Sequence, residues 1–235
     1  MRTLHLWSPP LASLQKGKSI ILTPEEHHHF SRVLRGKAGQ GVVLMDGLGY
    51  TVQAECSKAE KKESSFSLLT SPIFHTRTKR VGLAGPIPKG KRFPYLLEKL
   101  QEMGVHSYAP LHTEHGIRED WSEETKKRMR DRLIEACKQS RCPHLMILEE
   151  AKKLDDWAER QHPLVLEVDA PPLLQTNINE SSEMIFGPEA GWSLEERDMF
   201  RDQHWPRATL STQHLRMETA AILGAGTLIQ MQDRE

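Results

Sequence analysis

The chain has 235 residues, enough for one large domain or two small ones and for a sizeable buried core. Its 32 Lys+Arg and 32 Asp+Glu cancel, but residues 1–80 hold twelve basic against six acidic residues and the remainder carries the opposite excess. That asymmetry suggests local phosphate binding near the N-terminus, or is ordinary surface variation. No apolar run reaches the roughly 18 residues of a membrane span. The opening residues are too soon broken by Pro9 and Pro10 to read as a signal peptide. Cys56, Cys137 and Cys142 make no disulfide framework, so a reducing cytoplasm is expected.

Residues 1–72 read as a small β-rich domain. Ser19 to Leu22 is a short strand. Thr23-Pro24-Glu25-Glu26 opens a helix, with Thr23 as N-cap and Pro24 in the first turn. On that helix His28, Arg32 and Arg35 fall at i, i+4 and i+7. They would form a basic face opposite Phe30, Val33 and Leu34, suited to phosphate docking or simply solvated. His27, His28 and His29 point in different directions on a helix, and no metal set is expected. Gly41 to Met45 is a strand ending in the Asp46-Gly47 turn, and Tyr50 to Cys56 alternates as a half-buried strand. With Ser65 to Leu69 this suggests a small barrel.

Residues 73–235 alternate strand and helix, the signature of a parallel α/β sheet. Val81 to Gly85 is a strand. Phe93 to Met103 is a helix with Leu96, Leu97, Leu100 and Met103 on one face and Gly104 as its C-cap. Val105 to Leu111 is a strand, and Glu123 to Ser140 a helix burying Met129, Leu133, Ala136 and Cys137. Cys137 is a core residue rather than a redox group on this pattern. Strands follow at Leu145–Leu148, Leu164–Val168, Met184–Phe186 and about Ala208–Leu210, then a helix at 216–230. In that helix Gly224 and Gly226 suggest close approach by another backbone, or simply close packing within the chain.

Chemistry concentrates late in the chain. Phe186-Gly187-Pro188-Glu189-Ala190-Gly191-Trp192 leaves a strand and meets the helix-opening pair Ser193 and Glu196. A glycine loop at a helix start offers free backbone N–H groups to a ligand, or is only a tight turn. Leu215-Arg216-Met217-Glu218-Thr219-Ala220 opens the last helix. The dipole favours Glu218 there, while Arg216 is less favoured and therefore more suggestive. The first strand–helix loop, Gly85 to Lys91, lacks the G-x-G-x-x-G spacing of a dinucleotide site. Lys89, Lys91 and Arg92 before the second helix, and Arg141 after the third, are candidate phosphate contacts.

The 187–193 loop resembles the GPEGG(F/L)S loop of RsmE-type RNA methyltransferases of the SPOUT, trefoil-knotted superfamily. Leu215 to Ala220 is similar to their LRTETA segment, and His27 to Arg35 to their HHxxRVLR stretch. Asp46-Gly47 resembles their DG turn, Lys99 to Val105 their KATELGV, and Glu135 to Arg141 their EAAEQSGR. The matches keep their order across nearly the whole chain.

The resemblance implies a PUA-like β-barrel over 1–72 and a SPOUT methyltransferase domain with a C-terminal knot over 73–235. It implies S-adenosyl-L-methionine (SAM) as cofactor, held by Leu166, Phe186, Gly187, Pro188, Glu189, Gly191, Leu210, Leu215, Met217 and Thr219. It also implies methylation of uridine N3 in 16S rRNA of the small ribosomal subunit, and a homodimer. Arg216 and Glu218 would be the catalytic pair, with Glu102 a further candidate base. His28, Arg32, Arg35, Lys89, Lys91 and Arg141 would contact RNA. Ala190 and Met217 depart from the family pattern, as does Ser211 to His214, and the 165–170 segment lacks the family's basic residue. These departures leave open a different RNA target, or an RNA-binding assembly factor that has lost catalysis.

Overall fold

The computed structural model describes residues 3–78, 80–116, 122–158, 163–176 and 183–232. The chain divides into two compact units, Met1–Thr78 with Ile134–Leu145, and Lys79–Leu133 with Met146–Glu235. The first unit therefore includes a stretch that the sequence segmentation at 72/73 assigns to the C-terminal part.

In the first unit β1 (Leu4–Trp7) pairs parallel to β3 (Gly41–Met45). From β3 the order runs antiparallel through β4 (Tyr50–Ala59) and β5 (Ser64–Leu68) to β2 (Ser19–Ile21), with β6 (Ile73–Phe74) on β4. No pairing among the described residues joins β1 to β2, so the sheet is not a hydrogen-bonded closed barrel. The alternation read in β4 is real: Val52, Ala54 and Cys56 are buried and their neighbours are not. They pack with Leu6, Leu44, Phe30 and Phe66, the last two edge to face at 5.1 Å.

Helix α1 (Pro24–His28) starts as expected, with the Thr23 hydroxyl accepting from the Glu26 N–H. It then widens into a π-turn at His29–Val33, and Arg35 takes a left-handed φ of 53°. The expected two-sided face is thereby corrected. Phe30 is buried, Val33 is exposed, and Arg35 lies beyond the helical register that would align it with His28 and Arg32. His27 is buried against the Ser64 hydroxyl at 2.9 Å.

Residues 134–145 are held to this unit by a buried ion pair. The Lys138 ammonium lies 3.0 and 2.9 Å from the two Glu26 carboxylate oxygens, and Glu26 also accepts the Trp7 N–H. The Cys137 thiol donates to the Cys142 carbonyl at 2.7 Å, and burial pushes its pKa up to about 12.

The second unit is an all-parallel sheet. Its elements are β7 (Gly82–Gly85), α2 (Arg92–Glu102), β8 (Ser107–His112), the part of α3 (Glu123–Ser140) up to Leu133, β9 (Ile147–Leu148), β10 (Lys152–Lys153), α4 (Asp155–Ala158), β11 (Leu164–Leu166), β12 (Glu183–Phe186), α5 (Leu194–Asp202), β13 (Arg207–Ala208) and α6 (Met217–Gln232). Strands order as β10-β8-β7-β12-β11-β13, with β9 also on β8. The apolar runs β7, β11 and β12 are buried on both faces, as parallel strands require. Gly85 is needed because a Cβ there would sit 2.2 Å from the Phe186 ring on the neighbouring strand. All four residues expected on the core face of α3 are buried.

The close approach inferred at Gly224 is made by side chains rather than by another backbone. A Cβ would lie 2.7 Å from Met184 Sδ and 3.1 Å from Leu166 Cδ1. At Gly226 the nearest atom is at 3.5 Å, an ordinary contact. No described helix is long and apolar enough to cross a membrane.

Candidate ligand cavity at the carboxyl ends of three strands

Strands β12, β11 and β13 are neighbours and run in the same direction, so the loops leaving them meet at one edge of the sheet. Between those loops and the start of α6 lies a cavity of about 500 Å³. Leu166 to Asp169 line it from β11, Phe186 to Trp192 from β12, and Ala208 to Ser211 from β13. Gln213 to Leu215, Met217 and Ala220 close it from the α6 side. The volume suits a ligand of several hundred daltons.

The β12–α5 loop is rigidly built. Its Gly191 N–H donates to Pro188 O at 2.9 Å and Gly191 has φ 80°, which favours glycine. A Cβ on Gly187 would come within 2.9 Å of the Trp192 indole. That indole N–H donates to Leu166 O, tying the loop to the end of β11, and the ring meets Phe200 edge on at 4.9 Å. Ala190 is not among the residues of positive φ, so the departure from glycine costs the loop no strain. Helix α5 opens on the expected capping box. Glu196 N–H donates to Ser193 Oγ, and Ser193 N–H to Glu196 Oε2 at 2.8 Å. The other Glu196 oxygen accepts the Glu114 N–H at 2.9 Å.

Of the residues expected to hold a cofactor, Leu166, Phe186, Gly187, Pro188, Glu189, Gly191, Leu210, Leu215 and Met217 line the cavity. Thr219 does not: with Met217 and Ala220 turned inward on α6, helical spacing points it outward, where it is exposed. Arg216 and Glu218 are also outside the lining. Arg216 precedes the first residue of α6, is exposed, and offers its carbonyl to the Ala220 N–H.

Glu218 is placed more tellingly. Its side chain is only 9% exposed, lies 3.7 Å from an Arg92 terminal nitrogen, and has an Oε2 that accepts no hydrogen bond among the described residues. The same nitrogen of Arg92 donates to Glu189 on the cavity loop. Glu189 holds the guanidinium pKa above its ordinary value, with Glu218 adding to the effect. Arg92 is the first residue of α2, where the helix dipole disfavours a cation, so the carboxylates stabilise an otherwise awkward position. Three segments distant in sequence meet at this group. Glu102 is elsewhere, paired to Lys99 Nζ at 2.8 Å on the side of α2.

The buried Glu167 is a cavity residue that sequence reading missed. Its carboxylate sits 3.1 Å from Arg197 Nε and 3.2 Å from an Arg207 terminal nitrogen. A carboxylate directly after the apolar run Leu164 to Leu166 was the available signal. Lys89 and Lys91 are exposed in the turn before α2. His28, Arg32, Arg35 and Arg141 are exposed on the first unit, Arg141 with a left-handed φ of 60° that ends α3.

Strand-end loops enclosing a cavity beside a buried acid and its arginine make this an α/β protein with a candidate ligand site at the carboxyl edge of its parallel sheet. A family profile described as an RNA methyltransferase domain matches residues 75–229, and the chain belongs to that family. It is 23% identical over 227 residues to the ribosomal RNA small subunit methyltransferase E of Bacillus subtilis, with 89% of each chain covered. To the protein of that name from Aquifex aeolicus it is 25% identical over 216 residues, 88% of this chain and 93% of that one. Among solved structures, the putative methyltransferase Lpg2936 from Legionella pneumophila, in complex with SAM, matches with a TM-score of 0.85 at 25% identity over 98% of both chains. The small subunit methyltransferase E from Neisseria gonorrhoeae, bound to S-adenosyl methionine, has the same TM-score and coverage at 21% identity.

Proposed function

We propose that the protein is a SAM-dependent methyltransferase acting on N3 of a uridine in 16S rRNA of the small ribosomal subunit. The observation that carries this reading is the cavity itself. Nine residues expected to hold SAM from motif resemblance come together around one space of suitable size, next to a buried carboxylate. The names of the curated relatives and the SAM complexes of similar fold support it.

The residues fit the cofactor. Gly187 and Gly191 keep the loop backbone open to an adenosine, and Leu166, Phe186, Leu215 and Met217 offer apolar walls. Bound there, SAM supplies an electrophilic methyl group. The rest of the chemistry belongs to the protein. Uridine N3 carries a proton that has to leave, and Glu218, with one oxygen accepting no hydrogen bond, is the proposed acceptor. Arg92 holds Glu218 at the edge of the cavity and Glu189 on the loop beside it. Arg216, exposed at the mouth of α6, stabilises the uracil anion or the adjacent phosphate.

In this reading the first unit docks RNA, with His28, Arg32 and Arg35 from the PUA-like residues 1–72 and Arg141 from its second segment. Residues 73–235, with Lys89 and Lys91 adding phosphate contacts, perform transfer with the trefoil passage of the superfamily, in a cytoplasmic homodimer. The departures at Ala190 and Met217 do not favour a protein without catalysis: the first is free of strain and the second forms cavity wall.

The test is methyl transfer from labelled SAM to small subunits lacking N3-methyluridine, followed by nucleoside mass spectrometry. N3-methyluridine in the digest is the expected result. No product with folded protein and intact subunits overturns the target, and no heat of SAM binding by calorimetry overturns the cofactor.

A further inference from the structure

We propose that the first unit carries a stacking site for an unpaired base of single-stranded RNA, built from Tyr50, Phe74 and His144. It extends the RNA-directed reading to residues that no motif match pointed to, and it rests on that reading only for the kind of ligand.

Phe74 ends β6 with 53% of its surface exposed. Its ring lies 4.9 Å from that of Tyr50, tilted by 50°, and 6.4 Å from that of His144, edge on at 90°. Leu48, 63% exposed, lies beside this cluster through its bridge to His144. Exposed aromatic and aliphatic surface gathered in one place marks a binding face.

The rings are locked in position. Gly49 has φ 101°, and a Cβ there would lie 2.6 Å from the His144 ring and 2.8 Å from the Phe74 ring, so both close directly over its backbone. Gly49 N–H donates to Pro143 O at 3.0 Å and His75 N–H to Gly49 O at 2.8 Å. His144 Nε2–H donates to His75 O at 2.7 Å, and the His75 ring pairs with the Thr51 hydroxyl at 2.7 Å. Leu48 and His144 form a β-bridge. A face already ordered loses little conformational entropy on binding.

Its electrostatics select the occupant. Burial, then the Arg77 charge, and then His75 hold the His144 pKa below the ordinary histidine value, against the opposing His75 carbonyl and Asp46. Arg77 is also felt at Cys137. The acid among these groups, Asp46, is spent on backbone: its oxygens accept the N–H groups of Leu11, Leu48 and Tyr50. An exposed Phe74 ring between the half-buried Tyr50 and His144 rings, with the Arg77 charge felt at His144, matches a nucleobase next to its phosphate, the pairing by which proteins hold single strands.

The test uses the full-length protein and a single-stranded octamer of uridines with one central 4-thiouridine. Anisotropy gives affinity, and irradiation followed by mass spectrometry gives the crosslinked peptide. Phe74→Ala should weaken binding about tenfold while Phe74→Trp retains it, and crosslinks should fall on Tyr50, Phe74 or the peptide holding His144. Affinity of Phe74→Ala within twofold of the parent, or crosslinks confined to other peptides, overturns the proposal. So does a parent dimer that Phe74→Ala converts to monomer in sedimentation, which would give this face to a second copy. None of these readouts needs methyl transfer. A protein that stacks RNA here but yields no N3-methyluridine keeps this site and loses the activity, and the reverse result is equally readable.

Discussion

Arg92 is held by two carboxylates that play unequal parts. Glu189 is largely exposed and sits on the cavity loop, whereas Glu218 is buried and anchored in a helix. Removing the guanidinium would leave a buried acid with no ion-pair partner among the described residues and release the loop at the same time. Arg92→Ala is therefore expected to lower single-turnover methyl transfer by at least about tenfold, the scale of losing one charge-assisted contact. Arg92→Lys should recover part of that loss. Equal rates for Arg92→Ala and the parent, measured with saturating SAM, would dismiss the role. At this scale sequence reading was incomplete for a simple reason. Arg92 was visible as one more basic residue before a helix, but its partners stand about a hundred residues away, and no local pattern joins them. Thr219 shows the opposite case: a motif names a stretch of residues, while helical rotation decides which of them line the cavity.

Helices illustrate how much local chemistry a sequence discloses. The α5 capping box, the burial of Met129, Leu133, Ala136 and Cys137 on α3, and the Gly104 turn after α2 are all written in short-range spacing. The widened turn after α1 was not, because a π-turn keeps the composition of an α-helix and changes only its register. In α6 the two glycines look alike in sequence and differ in the structure. Gly224→Ala should destabilise the protein by about 1–3 kcal/mol, because its methyl group would overlap Met184 and Leu166 packed beneath the helix. Gly226→Ala meets nothing closer than ordinary contact and should stabilise it, by up to about 1 kcal/mol from helix propensity. Urea denaturation of the two variants tests the contrast, and equal shifts in the same direction would contradict it.

For the whole molecule, the parallel sheet and the late ligand loops were legible from the alternation of elements. The discontinuous first unit was not: α3 reads as one uninterrupted amphipathic helix, and nothing in its periodicity marks where one unit ends. Beside the backbone bonds at Gly47, Gly49 and His75, what ties residues 134–145 to the first unit is the Glu26–Lys138 pair, a long-range match of two buried charges. Breaking it should be costly. Lys138→Ala is expected to lose about 3–5 kcal/mol, the usual cost of stranding one buried partner, whereas replacing both residues by apolar ones of similar volume should cost much less. Thermal unfolding of the single and double variants separates these outcomes. A single variant as stable as the parent would show that the pair contributes nothing.

That discontinuity also sets a timetable. A ribosome releases this chain from its N-terminus, so every strand of the first unit emerges well before the segment that completes it. Until Leu145 is out, Glu26 waits without its ammonium, and Gly47 and Gly49 without their bonding partners at Leu145 and Pro143. The N-terminal module thus ripens only after Leu145 has been made, and a nascent chain halted after the first six strands should remain open to proteases.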